Sequence, residues 1–182
     1  MDATGFPVPK DEDDVFSLQL KPQLSLELIF GPQWLLKVRV SERFRTWGLP
    51  LRSDIRADVV CNLSPFTLLM RLNMLSCDSV GGLSYVEGGY SSGRLRIHLR
   101  QGFFIIDDWD DRIYVYERDA PGSFNVPAMY GRGLWTSAVA GIDLMRKMRL
   151  YLRASYTAYP FMEPEKKKPG KAELKLQLQY RF

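Results

Sequence analysis

Glu173-Leu174-Lys175-Leu176-Gln177-Leu178-Gln179-Tyr180-Arg181-Phe182 is the stretch whose reading decides the fold. Every even position is apolar and every odd one is polar or charged. Successive side chains of a β-strand point to opposite faces, so this period of two predicts a strand with one greasy and one wet face.

The same rule repeats upstream. In 149–158, Leu150, Leu152, Ala154 and Tyr156 alternate with Arg149, Tyr151, Arg153 and Ser155. In 94–105, Leu95, Ile97, Leu99, Phe103 and Ile105 alternate with Arg94, Arg96, His98 and Arg100. Residues 67–75, 52–62 and 34–45 behave alike, with Leu72, Val59 and Val38 standing on the apolar faces. Residues 16–30 keep one register around Pro22, as one bent strand or two short ones. Segments 81–90 and 132–142 are weaker, and the facing of the second is ambiguous. The count is about nine strands, with no convincing amphipathic helix.

The separators fall into two classes that alternate strictly. Gly31-Pro32-Gln33, Leu63-Ser64-Pro65, Ser91-Ser92-Gly93 and Met145-Arg146-Lys147-Met148 are short turns. Residues 46–51, 76–81, 106–131 and 160–171 are generally longer. Short turns at one end and longer loops at the other are the layout of an outer-membrane barrel. The loop at 106–131 is the largest, and it is expected to lie outside the cell with its own short strand at 112–117.

The polar faces strengthen that reading. In register they carry fourteen cations: Lys21, Lys37, Arg39, Arg43, Arg45, Arg56, Arg71, Arg94, Arg96, Arg100, Arg149, Arg153, Lys175 and Arg181. Only four acids share those faces, namely Glu27, Asp54, Asp58 and Glu173. A soluble sandwich turns such faces to water, whereas a barrel keeps them in its lumen and turns leucines to lipid. Trp34, Tyr180 and Phe182 fit an aromatic girdle at one rim, and Phe44, Tyr156, Tyr159 and Phe161 at the other. Glu42, out of register on an apolar face, runs against the pattern. The end of the last strand, with Leu176, Leu178, Tyr180 and Phe182, reads as the signal by which barrel assembly machinery takes up the chain.

Composition agrees. The 182 residues are 46% hydrophobic and 13% aromatic, which excludes a disordered tail, and two cysteines are too few for a disulfide scaffold. No stretch approaches the roughly 18 consecutive apolar residues of a membrane-spanning helix. The formal charge of +4 says less than its placement. Residues 1–14 read as an acidic lead-in or linker, and 15–182 as barrel strands. A last strand ending at the periplasmic rim would make the segment at 16–30 begin outside the cell. Met1 is also followed by acids, without the basic and apolar regions of a secretory leader. Both points lead to the expectation that the chain is the C-terminal part of a longer barrel.

Three stretches carry a family resemblance: Phe103-Phe104-Ile105-Ile106-Asp107-Asp108-Trp109-Asp110-Asp111-Arg112-Ile113-Tyr114-Val115-Tyr116-Glu117-Arg118-Asp119, then 121–133, then 173–182. They resemble large barrel proteins of the Bacteroidota that are labelled helix-hairpin-helix domain-containing. The likeness covers roughly 81–182, with weaker traces at 41–45 and 56–58. It implies an outer-membrane barrel with an N-terminal periplasmic module. No helix-hairpin-helix segment is legible in these residues, so a DNA-binding role has nothing here to rest on.

Candidate chemistry is sparse. Asp107, Asp108, Asp110 and Asp111 could offer carboxylate oxygens to a hard cation. Their spacing lacks the glycine and terminal glutamate of a calcium loop, so a solvated loop held by Arg112 and Arg118 is the expectation. His98 is the only histidine and reads as polar lumen filler. Cys61 and Cys77 would lie about 30 Å apart along a hairpin, beyond disulfide reach, so two free thiols are expected, with Cys61 facing lipid.

The arginine-lined lumen has two readings: an attractor for anions, or an ion-pair network completed by upstream strands or a plug. Its lining is Arg39, Arg43, Arg56, Arg71, Arg94, Arg96, Arg100, Arg149, Arg153 and Arg181. Phe124, Val126, Met129 and Tyr130 of the large loop, which also holds Trp109, could fold over the mouth as a lid or dock a partner, with partner docking or self-packing preferred to ligand binding. The sequence therefore points to an integral outer-membrane barrel of a Gram-negative bacterium, a structural subunit of an envelope complex with neither enzymatic activity, metal nor cofactor. Its expected partners are lipid, the assembly machinery and other envelope proteins, with DNA only through the periplasmic module. Transport of an anionic solute or of DNA, and a soluble all-β binding module, are the alternatives.

Overall fold

Alternation becomes antiparallel pairing in the computed structural model, which describes residues 2–7, 16–45, 52–77, 79–163, 165 and 168–181. The strands are β1 (Asp2–Pro7), β2 (Phe16–Lys21), β3 (Gln23–Phe30), β4 (Trp34–Arg45), β5 (Arg52–Leu63), β6 (Phe66–Ser76) and β7 (Val80–Ser92). They continue as β8 (Leu95–Ile106), β9 (Ile113–Tyr114), β10 (Ala128–Met129), β11 (Gly131–Met145), β12 (Met148–Ala158) and β13 (Lys171–Tyr180). One sheet runs β1-β2-β4-β5-β6-β7-β8-β11-β12-β13, with β3 also paired to β4, and β9 and β10 form a separate ribbon. Among the described residues no helix is long and apolar enough to cross a membrane.

All nine expected segments are strands, within three residues of their ends. Pro22 divides 16–30 into β2 and β3, because proline has no N–H to give the ladder. Its carbonyl still accepts the Glu42 N–H at 3.0 Å, so the chain bends without leaving β4. The lead-in contributes a strand of its own, β1, paired to β2; the acids at 11–14 lie outside the described residues. Gly31 and Gly93 take φ of 68° and 52° in their tight turns, a region that excludes most side chains. The described strands form an open sheet, and none joins β13 back to β1.

Registers carry the two faces across the strands unbroken. One row reads Val38, Ala57, Leu72, Ser84, Phe103 and Leu134. The next reads Arg39, Arg56, Asn73, Leu83, Phe104 and Gly133. The first face is uncovered: Leu72 is 62% exposed and Leu176 67%. Residues 107–130 fold back over the second face. Ile113, Val115 and Met129 pack there against Leu75, Leu83, Tyr85, Phe104, Ile106 and Trp135.

The large loop packs on the sheet, where its own apolar residues close a core on the polar face. One expectation is corrected. Tyr159, expected at an outer rim, turns inward and meets Phe104 edge-on at 5.9 Å. The facing of β11 is also settled, with Gly131, Gly133, Trp135 and Ser137 inward and Leu134, Thr136 and Ile142 outward. Its inward row holds three glycines, Gly131, Gly133 and Gly141, which carry no hydropathy signal. Gly133 is required because any Cβ there would strike Phe104 and the Ala158 carbonyl.

Candidate functional site

The inner face owes its chemistry to strands that alternate cations with small or aromatic residues, and to a loop that brings acids to them. Asp58 on β5 accepts Arg71 Nε at 2.6 Å and Arg56 Nε at 2.9 Å. On the next strand pair, Arg100 Nε donates to Glu87 Oε2 at 2.9 Å, with both side chains 4% exposed. Arg118 from the loop reaches the other oxygen of Glu87 at 2.6 Å. Arg100 Nη1 then donates to the Tyr116 carbonyl at 2.8 Å, and its guanidinium lies 4.2 Å from the Tyr85 ring centroid. Buried charges persist only when paired in this way.

The loop supplies the remaining carboxylates. Arg153 on β12 donates to Glu117 at 2.7 Å and to Glu173 at 3.4 Å, and Asn125 also donates to Glu117. Lys175 donates to Asp119 at 3.0 Å, and Gln177 to the Pro121 carbonyl at 3.0 Å. Residues 107–130 thus cover the inner face of the sheet, and their acids complete an ion-pair network there. Glu87, Glu117, Asp119 and Asp143 were missed as partners in the sequence. Glu87 had a signal, since it continues the alternation of Leu83 and Tyr85, but glycines on both sides blur it.

The aspartates of 107–111 separate. Asp111 is fully buried and accepts the Cys77 N–H at 2.6 Å and the Ser79 N–H at 2.8 Å, so it clasps the β6–β7 loop. Asp107 pairs with Arg132 at 2.7 Å and Asp110 with Arg112 at 3.7 Å, both near the surface, while Asp108 is exposed. The expectation that Arg118 holds these acids is corrected, because that guanidinium is drawn to the buried Glu87. Among the described residues no group of His, Cys, Asp or Glu is arranged to hold a metal ion.

The aromatics of the loop take different roles. Trp109 is exposed beneath Arg112, whose guanidinium lies 4.7 Å from its ring, and it meets Tyr130 edge-on. Lys168 sits 3.7 Å over Tyr130, and burial holds its ammonium below the ordinary lysine range. Met129 is core, whereas Phe124 is 82% exposed.

His98 lies inward opposite Gly89, whose missing side chain makes room for the imidazole. Neither cysteine is in a disulfide. Cys61 lies on the apolar face, as expected, and is covered there by its neighbours, between Trp34 and Leu68. It lines a depression of about 420 Å³ with Phe66, Tyr90 and Leu99.

At the tight-turn end Asp143 is held by Arg149 and by Arg96 at 3.1 Å. Arg39, Arg94 and Arg181 have no ion pair among the described residues, and Arg43 stands opposite Arg52. Leu176, Leu178 and Tyr180 lie on the uncovered face, and Phe182 is outside the described residues. Comparison of the chain with protein-family models, with curated proteins and with solved structures finds no match.

Proposed function

We propose that this chain forms part of the wall of a Gram-negative outer-membrane β-barrel and serves as a structural subunit of an envelope complex, without catalytic activity. The observation that supports it best is the inversion of a water-soluble sheet. Leucine rows lie on the uncovered face, and charges lie beneath a plug. Leaving one such leucine in water forgoes about 1.5–3 kcal/mol, and large continuous apolar surfaces mark lipid or partner contacts. The resemblance to the Bacteroidota barrel proteins agrees with this location.

Backbone edges matter to this reading. A strand edge in hydrocarbon costs several kcal/mol per unpaired group, so β13 on one side and β1 and β3 on the other call for further strands to close the wall. The test is fractionation of native membranes. The protein is expected to stay in the pellet after an alkaline wash and to dissolve only with detergent. Release by the wash would favour the soluble binding module.

Transport is the second reading, favoured by the unpaired cations at the tight-turn end. An anion-selective conductance in planar bilayers would support it, and a silent bilayer would leave the structural role. Salt-dependent DNA binding by the protein would point to DNA as the cargo.

A further inference from the structure

We infer that the tight-turn end of the sheet carries a binding site for a phosphate group, built by Arg94, Arg146, Lys147 and Arg181. These residues line a cleft of about 250 Å³ together with Asp143 and Arg149. Three separate turns and strand ends meet there, braced by backbone bonds. The Asp143 N–H donates to the Arg94 carbonyl at 2.9 Å, and the Arg181 N–H to the Lys147 carbonyl at 2.9 Å. The cations therefore converge on a fixed frame.

Charge matching singles this cleft out. Elsewhere on the inner face most arginines meet a carboxylate, Arg39 excepted: Arg71 meets Asp58, Arg100 meets Glu87 and Arg153 meets Glu117. Here five cations face one carboxylate, and Asp143 is already taken by Arg96 and Arg149. Arg94, Arg146, Lys147 and Arg181 are left without a carboxylate among the described residues. Guanidinium forks match the paired oxygens of phosphate, and a doubly charged oxyanion neutralises several cations at once.

Exposed Met145 and Tyr180 flank the cleft on the apolar face. The phosphate could therefore belong to a lipid headgroup, which rests on the membrane reading, or to a free solute, which does not.

The experiment has two arms. The delipidated protein in dodecyl maltoside is titrated with inorganic phosphate by calorimetry. In parallel, native mass spectrometry compares retention of phosphatidylglycerol with that of diacylglycerol of the same chains. Phosphate binding in the first arm identifies a solute site, and selective phosphatidylglycerol retention alone identifies a headgroup site. In either case the paired variant Arg94→Gln/Arg181→Gln is expected to weaken binding about tenfold or more, while Arg132→Gln at the opposite end leaves it unchanged. Circular dichroism checks that both variants fold. Binding in neither arm, or equal binding by the paired variant, overturns the site. Phosphate binding by protein that needs no detergent would retain the site and remove the membrane reading.

Discussion

Trp135 on β11 stands directly opposite Gly102 on β8, and its indole fills the space that any side chain at 102 would occupy. The ring meets Tyr85 edge-on at 5.6 Å and Phe104 at 6.4 Å. Glycine weakens a strand interior, so its place here is set by the indole. Gly102→Ala is expected to cost about 1–3 kcal/mol through overpacking, and Trp135→Ala about 3–5 kcal/mol through the cavity it opens. Thermal melts followed by near-ultraviolet circular dichroism read both; a Gly102→Ala variant melting with the wild type would contradict the packing.

The Arg100–Glu87 pair is buried, so each partner depends on the other. Glu87→Met leaves the guanidiniums of Arg100 and Arg118 without their acceptor and is expected to cost about 3–5 kcal/mol. Arg100→Met strands Glu87 in the same sense. The double variant should lose less than the sum, with a coupling of about 1–3 kcal/mol in denaturant titrations. Strict additivity would mean the pair does not form.

Asp111 and Asp108 look alike in sequence and differ in place. Asp111→Ala removes the acceptor of two backbone amides, at about 1–3 kcal/mol for each group left buried. Hydrogen exchange at Cys77 and Ser79, measured by mass spectrometry, is expected to quicken. The exposed Asp108→Ala should leave both rates unchanged, and equal effects from the two variants would refute the clasp.

Docking of the large loop on the sheet predicts a labelling contrast. In a background with Cys61 and Cys77 replaced by alanine, Phe124→Cys is expected to react promptly with a polar maleimide and Met129→Cys to be protected. Equal reactivity would place the loop off the sheet.

The lipid-facing assignment makes a claim at Leu152, which lies on the uncovered face opposite Ala140 and Leu176. In a bilayer Leu152→Arg is expected to cost about 2–4 kcal/mol near the midplane, read as lost folding into lipid vesicles. If the sheet is a water-soluble one, the same change raises solubility and leaves folding intact.

Side-chain direction along a strand is a local property, which is why so much was legible from one dimension. The alternation of Leu95, Ile97 and Leu99 with Arg96, His98 and Arg100 needs no partner to be read. Turn residues such as Gly31 and Gly93 act within their own dipeptides. The destination of Glu117 has no such signature, because its partner Arg153 lies 36 residues away and meets it only when the large loop docks on the sheet. Nor could spacing separate Asp111 from Asp108, since burial depends on what the loop packs against.

What the amino-acid sequence determined alone was the strands, their turns and which side chains share a face, because these follow from backbone geometry over a few residues. Only the tertiary structure decided that residues 107–130 lie on the inner face and which acids neutralise which arginines. Those outcomes depend on long-range contacts that desolvate a charge and supply its counter-charge together.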